Sequence, residues 1–252
     1  MVAAPAELQA ALQQARRSPR AAWYAGPQVD VQATGPYRHH VRKRRAYLEG
    51  VIDECLAERA PLANALDLGC GDGANLGWLG ARVGRLYASD YNPDRLSRLP
   101  SNTGARAFLA DVLDFPVADD SFDLVFFNHV LEHVPDDLAA LAEVRRVLRP
   151  GGLLILGVPN EGAAFWQLAY RLQPRTRATT DHVHFYTADS IAMRCRTAGL
   201  AVRAVHPIGW GVPHWGIDAV LRQWRWIDDL LEAVGRRLCP SQATSLYLLA
   251  TK

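Results

Sequence analysis

The chain has 252 residues, 49% of them hydrophobic, which is enough for one α/β core with additions but cramped for two full domains. Its 28 Lys and Arg against 26 Asp and Glu leave a net charge of +2, a balance that argues against nucleic acid as an obligatory partner. Cys55, Cys70, Cys195 and Cys239 stand far apart without a C-x-x-C pair, so neither a disulfide framework nor a zinc ribbon is expected and a reducing cytoplasm fits. No apolar run nears the roughly 20 residues that crossing a bilayer needs, so stable membrane insertion is not expected.

Residues 1–36 mix Ala, Gln and Pro, with Pro27 and Gly35-Pro36 interrupting any long helix, and are read as a helical or loose arm. From Tyr37 to Glu58 the apolar positions Val41, Tyr47, Val51, Ile52 and Leu56 recur on a helical period behind the basic run Arg42-Lys43-Arg44-Arg45. Arm and helix together, 1–61, precede a main domain over 62–252.

Short apolar runs then alternate with helical patterns, the βαβ rhythm of a largely parallel sheet. Strands are expected over 65–68, 85–89, 105–110, 122–127, 153–158, 200–205 and 245–250, and helices over 75–81, 93–99, 136–148 and 187–198. Pro150-Gly151-Gly152 and Gly199 are the helix stops, and Thr187 is a helix cap. Residues 206–243 stand apart as a helical insertion. There Gly209 to Pro213 breaks the pattern before a stripe carrying Ile217, Val220, Leu221, Trp224, Leu231 and Val234.

The glycine loop Gly69-Cys70-Gly71-Asp72-Gly73-Ala74 follows the first strand, where open parallel sheets bind ligands. It also satisfies G-x-G-x-x-A, so a dinucleotide-binding oxidoreductase is the competing reading. Three features bear on the choice. Asp67 and Asp72 put negative charge where a pyrophosphate would rest, whereas a methionine moiety brings an ammonium and a sulfonium that carboxylates favour. Asp90, at the end of the second strand, can accept both ribose hydroxyl protons. Asp111 after the third strand can take an adenine amine, with Val112 covering the ring face. Any of these carboxylates alone would be a turn or cap residue, and Asp94 and Asp114 are read so; the placement of the others at successive strand ends outlines an adenosine pocket.

These residues resemble the class I S-adenosylmethionine-dependent methyltransferases. The motifs are Leu66-Asp-Leu-Gly-Cys-Gly-Asp-Gly73, Ser89-Asp-Tyr-Asn-Pro93, Ala110-Asp111, Ser121-Phe-Asp-Leu-Val125, Asn128-His-Val-Leu-Glu-His-Val134 and Leu148-Arg-Pro-Gly-Gly152. The resemblance spans 62–205 and speaks to fold and cofactor, not to the acceptor. It implies an α/β, Rossmann-like, doubly wound sheet of seven mostly parallel strands with helices on both faces, flanked by the N-terminal helical arm and the C-terminal helical insertion. It further implies that Asp67, Gly69 and Gly71 line the methionine half of S-adenosylmethionine. Asp90 would take the ribose, Tyr91 and Val112 the adenine faces, Asp111 the adenine amine, and Asn128 would offer a backbone carbonyl. An arginine of the preceding helix, Arg42, Arg44 or Arg45, would hold the cofactor carboxylate, with Arg44 carried forward. An arm ahead of the core would serve as a lid.

A good leaving group makes alignment the main task of methyl transfer, and a hydroxyl acceptor adds the need for a base. His129, two residues beyond the fourth strand, is the candidate base, the alternative being a loop histidine that only shapes the pocket. His133 and Glu132 are read as structural. His182 and His184, in Asp181-His-Val-His-Phe-Tyr-Thr187, together with Trp210, are candidate substrate contacts, and no metal is expected. For the Trp and Arg stripe near the C-terminus, core packing or a homodimer interface is the first reading and a membrane interface or lipid-linked substrate the second. The expected activity is O-methylation of a small-molecule or sugar-containing acceptor, with N- or C-methylation, an NAD-dependent oxidoreductase and a non-catalytic scaffold as alternatives.

Overall fold

The computed structural model describes residues 34–57 and 61–252, so the arm expected over 1–36 falls almost wholly outside the described residues. The first described helix, α1 (Arg38–Ala57), buries Leu48, Val51 and Ile52; of the expected apolar positions Val51 and Ile52 are buried, while Val41, Tyr47 and Leu56 are part-buried. Then follow β1 (Asn64–Leu68), α2 (Leu76–Gly80), β2 (Arg85–Asp90), α3 (Pro93–Leu96), β3 (Arg106–Leu109), β4 (Phe122–Asn128) and α4 (Asp137–Val147). The chain continues through β5 (Leu148–Pro159), α5 (Ala164–Leu172), α6 (Pro174–Thr179), α7 (Ala188–Thr197), β6 (Ala201–Ile208), α8 (Trp215–Leu221), α9 (Arg225–Leu238) and β7 (Ser245–Thr251).

The strands form one seven-stranded sheet in the order β3-β2-β1-β4-β5-β7-β6, parallel throughout except for β7, which runs against both β5 and β6. This is the expected doubly wound architecture. Strand alternation sorts the core. Leu66, Val125, Phe127, Leu154 and Leu156 pack with α4 and α7 on one face, while Ala65, Leu124, Phe126, Leu153 and Ile155 pack with α1 and α2 on the other. Each large aliphatic or aromatic side chain removed from water contributes about 1.5–3 kcal/mol, and both faces must be apolar, which is why these strands appear in sequence as mainly apolar runs.

Local signals fix the helix ends. Asp136 caps α4 by accepting from the Ala139 amide at 2.9 Å. Thr187 and Ser190 form a reciprocal capping box at the start of α7, and Gly199 follows that helix at φ 81°.

The structure corrects several expectations. Strand β5 begins at Leu148 and carries Pro150-Gly151-Gly152 inside it, so those residues end α4 and open a strand with a register shift against β4. Residues 206–208 belong to β6, so the helical insertion starts later than position 206. The stripe of α8 and α9 is not core: Trp224 and Trp226 are 50% and 66% exposed. Helices α5 and α6 were not anticipated; Trp166 and Ala169 of α5 form a small satellite core with Ala163, and α6 buries no side chain.

Candidate active site

Strands β1 and β4 are neighbours although far apart in sequence, so the chain reverses winding between them and their carboxyl ends open one crevice. The loop after β1 turns back sharply, with Gly69, Gly71 and Gly73 at φ 72°, 55° and 84°, a region that favours glycine. At Gly69 a Cβ would also collide with the Val130 side chain of the loop after β4. The backbone therefore passes closer to β4 than any side chain would allow.

Loop and second strand are tied together. The amides of Gly69 and Cys70 both donate to the Ser89 carbonyl, at 2.8 and 2.9 Å. Asp90 is buried, and its two carboxylate oxygens accept from the amides of Gly71 and Asn92, each at 2.9 Å. Burial raises the Asp90 carboxyl above the usual range, with those two amides and Arg95 opposing.

Asp67 is 1% exposed and its Oδ2 has no hydrogen-bond partner. Burial, reinforced by the charge of Asp90, pushes its carboxyl up to about 8. Two buried carboxyls, one of them raised by the charge of the other, are a site for a cation. An S-adenosylmethionine molecule fits these residues on three counts. Its ammonium and sulfonium match Asp67, its diol matches the acceptor oxygens of Asp90, and its close approach matches a loop in which Gly69 has no room for a Cβ.

Asp72 corrects the charge argument made from sequence. Its Oδ1 receives Nη2 of Arg98 at 2.8 Å and Nε at 3.1 Å, so its charge is compensated by a residue 26 positions away. Arg95 is the site residue that sequence reasoning missed. Its Nη1 lies 3.1 Å from where a Gly71 Cβ would be, beside the loop. A lone arginine on a short helix carries no signal of that placement.

On the adenine side, Asp111 accepts from the Leu113 amide at 2.9 Å through Oδ1, an Asx turn that leaves Oδ2 for a further donor. Val112 is part-buried against the core, and burial raises the phenol of Tyr91.

The loop after β4 brings together residues from four parts of the chain. His129 stands at φ 54°, an uncommon conformation for a side-chain-bearing residue, with its amide donating to the Gly157 carbonyl at 2.8 Å. Its Nδ1 lies 3.4 Å from Oε1 of buried Glu132, and its Nε2 lies 3.3 Å from Nη1 of Arg44 on α1. A quarter of the ring is open to solvent. Burial lowers the imidazole below the ordinary histidine value; the Glu132 contact opposes this and the Arg44 charge adds to it. Among the candidates Arg42, Arg44 and Arg45, Arg44 is the residue brought to this loop, while Arg42 is exposed and Arg45 reaches Glu49 at 2.6 Å; the neighbouring Lys43 reaches Asp228 at 2.5 Å. Asn128 accepts from the Tyr247 hydroxyl at 2.9 Å through its side chain.

The other candidates lie beside this group. His182 meets Glu161 at 2.6 Å through Nδ1 and stacks edge-on against His133, with ring centroids 4.8 Å apart. His133 faces Asp181 at 3.4 Å, and the ligand-type atoms of Glu132, His133 and His182 lie within 4.8 Å of one another. His184 points elsewhere, its Nε2 lying 3.0 Å from the Val134 carbonyl, and it braces that loop. Trp210 is buried, donates its indole N–H to the Cys239 carbonyl at 2.9 Å and wedges against Gly235, which makes it a packing residue of the insertion.

Residues 66–156 match the family described as Methyltransferase domain. An uncharacterized 37.1 kDa protein in transposon TN4556 of Streptomyces fradiae is 34% identical over 177 residues, 65% of this chain, and the match spans only 50% of that protein's length. The ubiquinone biosynthesis O-methyltransferase of Xanthomonas campestris pv. campestris is 32% identical over 194 residues, covering 71% of this chain and 75% of that protein. In fold, the chain is similar to the N-methyltransferase NodS of Bradyrhizobium japonicum in complex with S-adenosyl-L-homocysteine, with a TM-score of 0.58, 18% identity and coverage of 88% and 90% of the two chains. The chain belongs to the class I S-adenosylmethionine-dependent methyltransferases, and is an enzyme whose cofactor is S-adenosylmethionine. Among the described residues no helix is long and apolar enough to cross a membrane.

Proposed function

We propose that this methyltransferase acts on a hydroxyl of a small-molecule or sugar-containing acceptor, with His129 as the general base. The observation that carries this is the His129 ring itself, held between Glu132 and Arg44, partly open to solvent and lowered in pKa, so that it is neutral near pH 7 and able to take a proton. Bound S-adenosylmethionine supplies an electrophilic methyl on a sulfonium leaving group. Asp67, Gly69, Gly71 and the Asn128 carbonyl hold the methionine end, Arg44 the carboxylate, Asp90 the ribose, and Asp111, Tyr91 and Val112 the adenine. Glu132 keeps the His129 ring oriented through Nδ1, and Nε2 faces the acceptor hydroxyl once Arg44 engages the cofactor carboxylate. His182 contributes to the acceptor side. The O-methyltransferase name of the Xanthomonas relative supports an oxygen acceptor.

The free thiols of Cys55, Cys70, Cys195 and Cys239 support a cytoplasmic setting. The acceptor is found by incubating the protein with methyl-labelled cofactor and fractionated cell extract. Replacement His129→Ala then lowers kcat by about 10²–10⁴ and removes the acid limb of the pH profile. Unchanged turnover across pH in that variant withdraws the base.

A further inference from the structure

The connection between β6 and β7 leaves an apolar surface open. On α9, Asp228 and Gly235 face inward against Arg222 and Trp210, while Trp226, Leu230, Val234 and Leu238 lie on the opposite side at four-residue spacing and are 66%, 53%, 46% and 75% exposed. Ile217 and Val220 of α8 and Trp224 between the helices are each at least 50% exposed. Isolated apolar residues on a surface are ordinary, but an unbroken stripe with two tryptophans on so short a segment marks an interaction surface.

The exposed charge on this unit is mainly arginine. Asp218 and Asp228 are buried against Arg222, and Lys43 of α1 engages Asp228, Asp229 and Glu232. Asp218 and Asp228 thus face inward, and Arg225 pairs with Asp229 at 3.7 Å and Arg236 with Glu232 at 2.9 Å, yet the side chains of Arg225 and Arg236 stay 81% and 67% exposed and Arg237 is exposed as well. A twofold contact through this stripe would set the same guanidinium rim against itself. Apolar side chains including tryptophan, flanked by arginines whose stems can lie along them, instead match a bilayer interface of opposite charge.

We propose that α8 and α9 form a docking surface for a lipid bilayer bearing anionic phospholipid, with Trp226, Leu230 and Val234 entering the headgroup region and Arg225, Arg236 and Arg237 meeting the lipid phosphates. The surface is fastened to the catalytic half by the Lys43 to Asp228 pair, one residue before the Arg44 that reaches His129.

The test is co-sedimentation of the full chain with vesicles of phosphatidylcholine alone or with about one third phosphatidylglycerol. Binding is expected to the anionic vesicles, to weaken with salt, and to be at least about tenfold weaker on phosphatidylcholine alone. The double variant Arg236→Gln, Arg237→Gln should bind anionic vesicles about thirtyfold more weakly. The double variant Trp226→Glu, Leu230→Glu should abolish binding while leaving the melting temperature and S-adenosylhomocysteine affinity unchanged, since those side chains point to solvent. Absence of binding to either vesicle, or equal and salt-independent binding to both, overturns the proposal. So does a dimer in sedimentation equilibrium that Leu230→Glu splits, which would assign the stripe to a second copy.

Discussion

Asp67 offers a sharp test of the cofactor site because its carboxyl is pushed up to about 8 by burial and by Asp90. With that value, roughly 0.9 of the molecules carry a proton on Asp67 at pH 7 in the cofactor-free protein. A cationic methionine end seated beside the carboxylate favours its ionised form, so binding should release close to that amount of proton. Isothermal titration calorimetry of S-adenosylhomocysteine in buffers of different ionisation enthalpy measures the number as the slope of heat against that enthalpy. Affinity should also rise about tenfold per pH unit as pH approaches 8 from below, then level off. The sign for stability is opposite. A carboxyl whose folded value lies above its unfolded 3.8 stabilises the fold at low pH, and that contribution is lost as pH rises from about 4 to about 8. Asp67→Asn should remove the proton release and flatten this decline in the cofactor-free protein. A slope of zero in the natural chain, or a release that persists in Asp67→Asn and vanishes in Asp90→Asn, refutes the assignment.

Arg44→Gln removes the guanidinium 3.3 Å from His129 Nε2, so the histidine titration followed by NMR should move to higher pH and the Kd for S-adenosylhomocysteine should rise about tenfold or more. Gly69→Ala forces a side chain into the left-handed region and against Val130; about 1–3 kcal/mol of strain is expected in denaturant melts, with a loss of cofactor affinity that Val130→Ala partly restores. Arg222→Met leaves Asp218 and Asp228 buried without their shared cation, and urea unfolding should show a loss of about 3–5 kcal/mol.

What could be read from sequence divides along physical lines. Strands such as β1 and β4 were legible because burial on both faces demands apolar residues at most positions, and α7 because Thr187 and Gly199 bound it. Strand β5 was misjudged at its start because Pro150-Gly151-Gly152, ordinarily a stop, lies within a strand that shifts register against β4. Helix α5 was missed because its buried side chains close on partners remote in sequence, as when Trp166 stacks on Trp215 at 5.1 Å, and the short α6 because it buries no side chain. The site carboxylates were legible by position, but pairing was not: nothing local announces that Asp72 belongs to Arg98 or Glu161 to His182.

That distinction changes the reason for setting the dinucleotide reading aside. Counted by sign, Asp67 and Asp72 both seemed to repel a pyrophosphate, yet Arg98 compensates Asp72 and leaves Asp67 and Asp90 as the buried carboxylates at the strand ends. The backbone disfavours a pyrophosphate more strongly than the side chains do. A phosphate cradle needs loop amides that point at the ligand, and here those of Gly69 and Cys70 donate to Ser89, that of Gly71 to Asp90, and that of Gly73 to Cys70. With these four donors engaged inside the protein, the loop presents glycine Cα surface and carboxylate oxygen to the crevice, a surface that accepts hydrogen bonds and cations and has little to offer an anion.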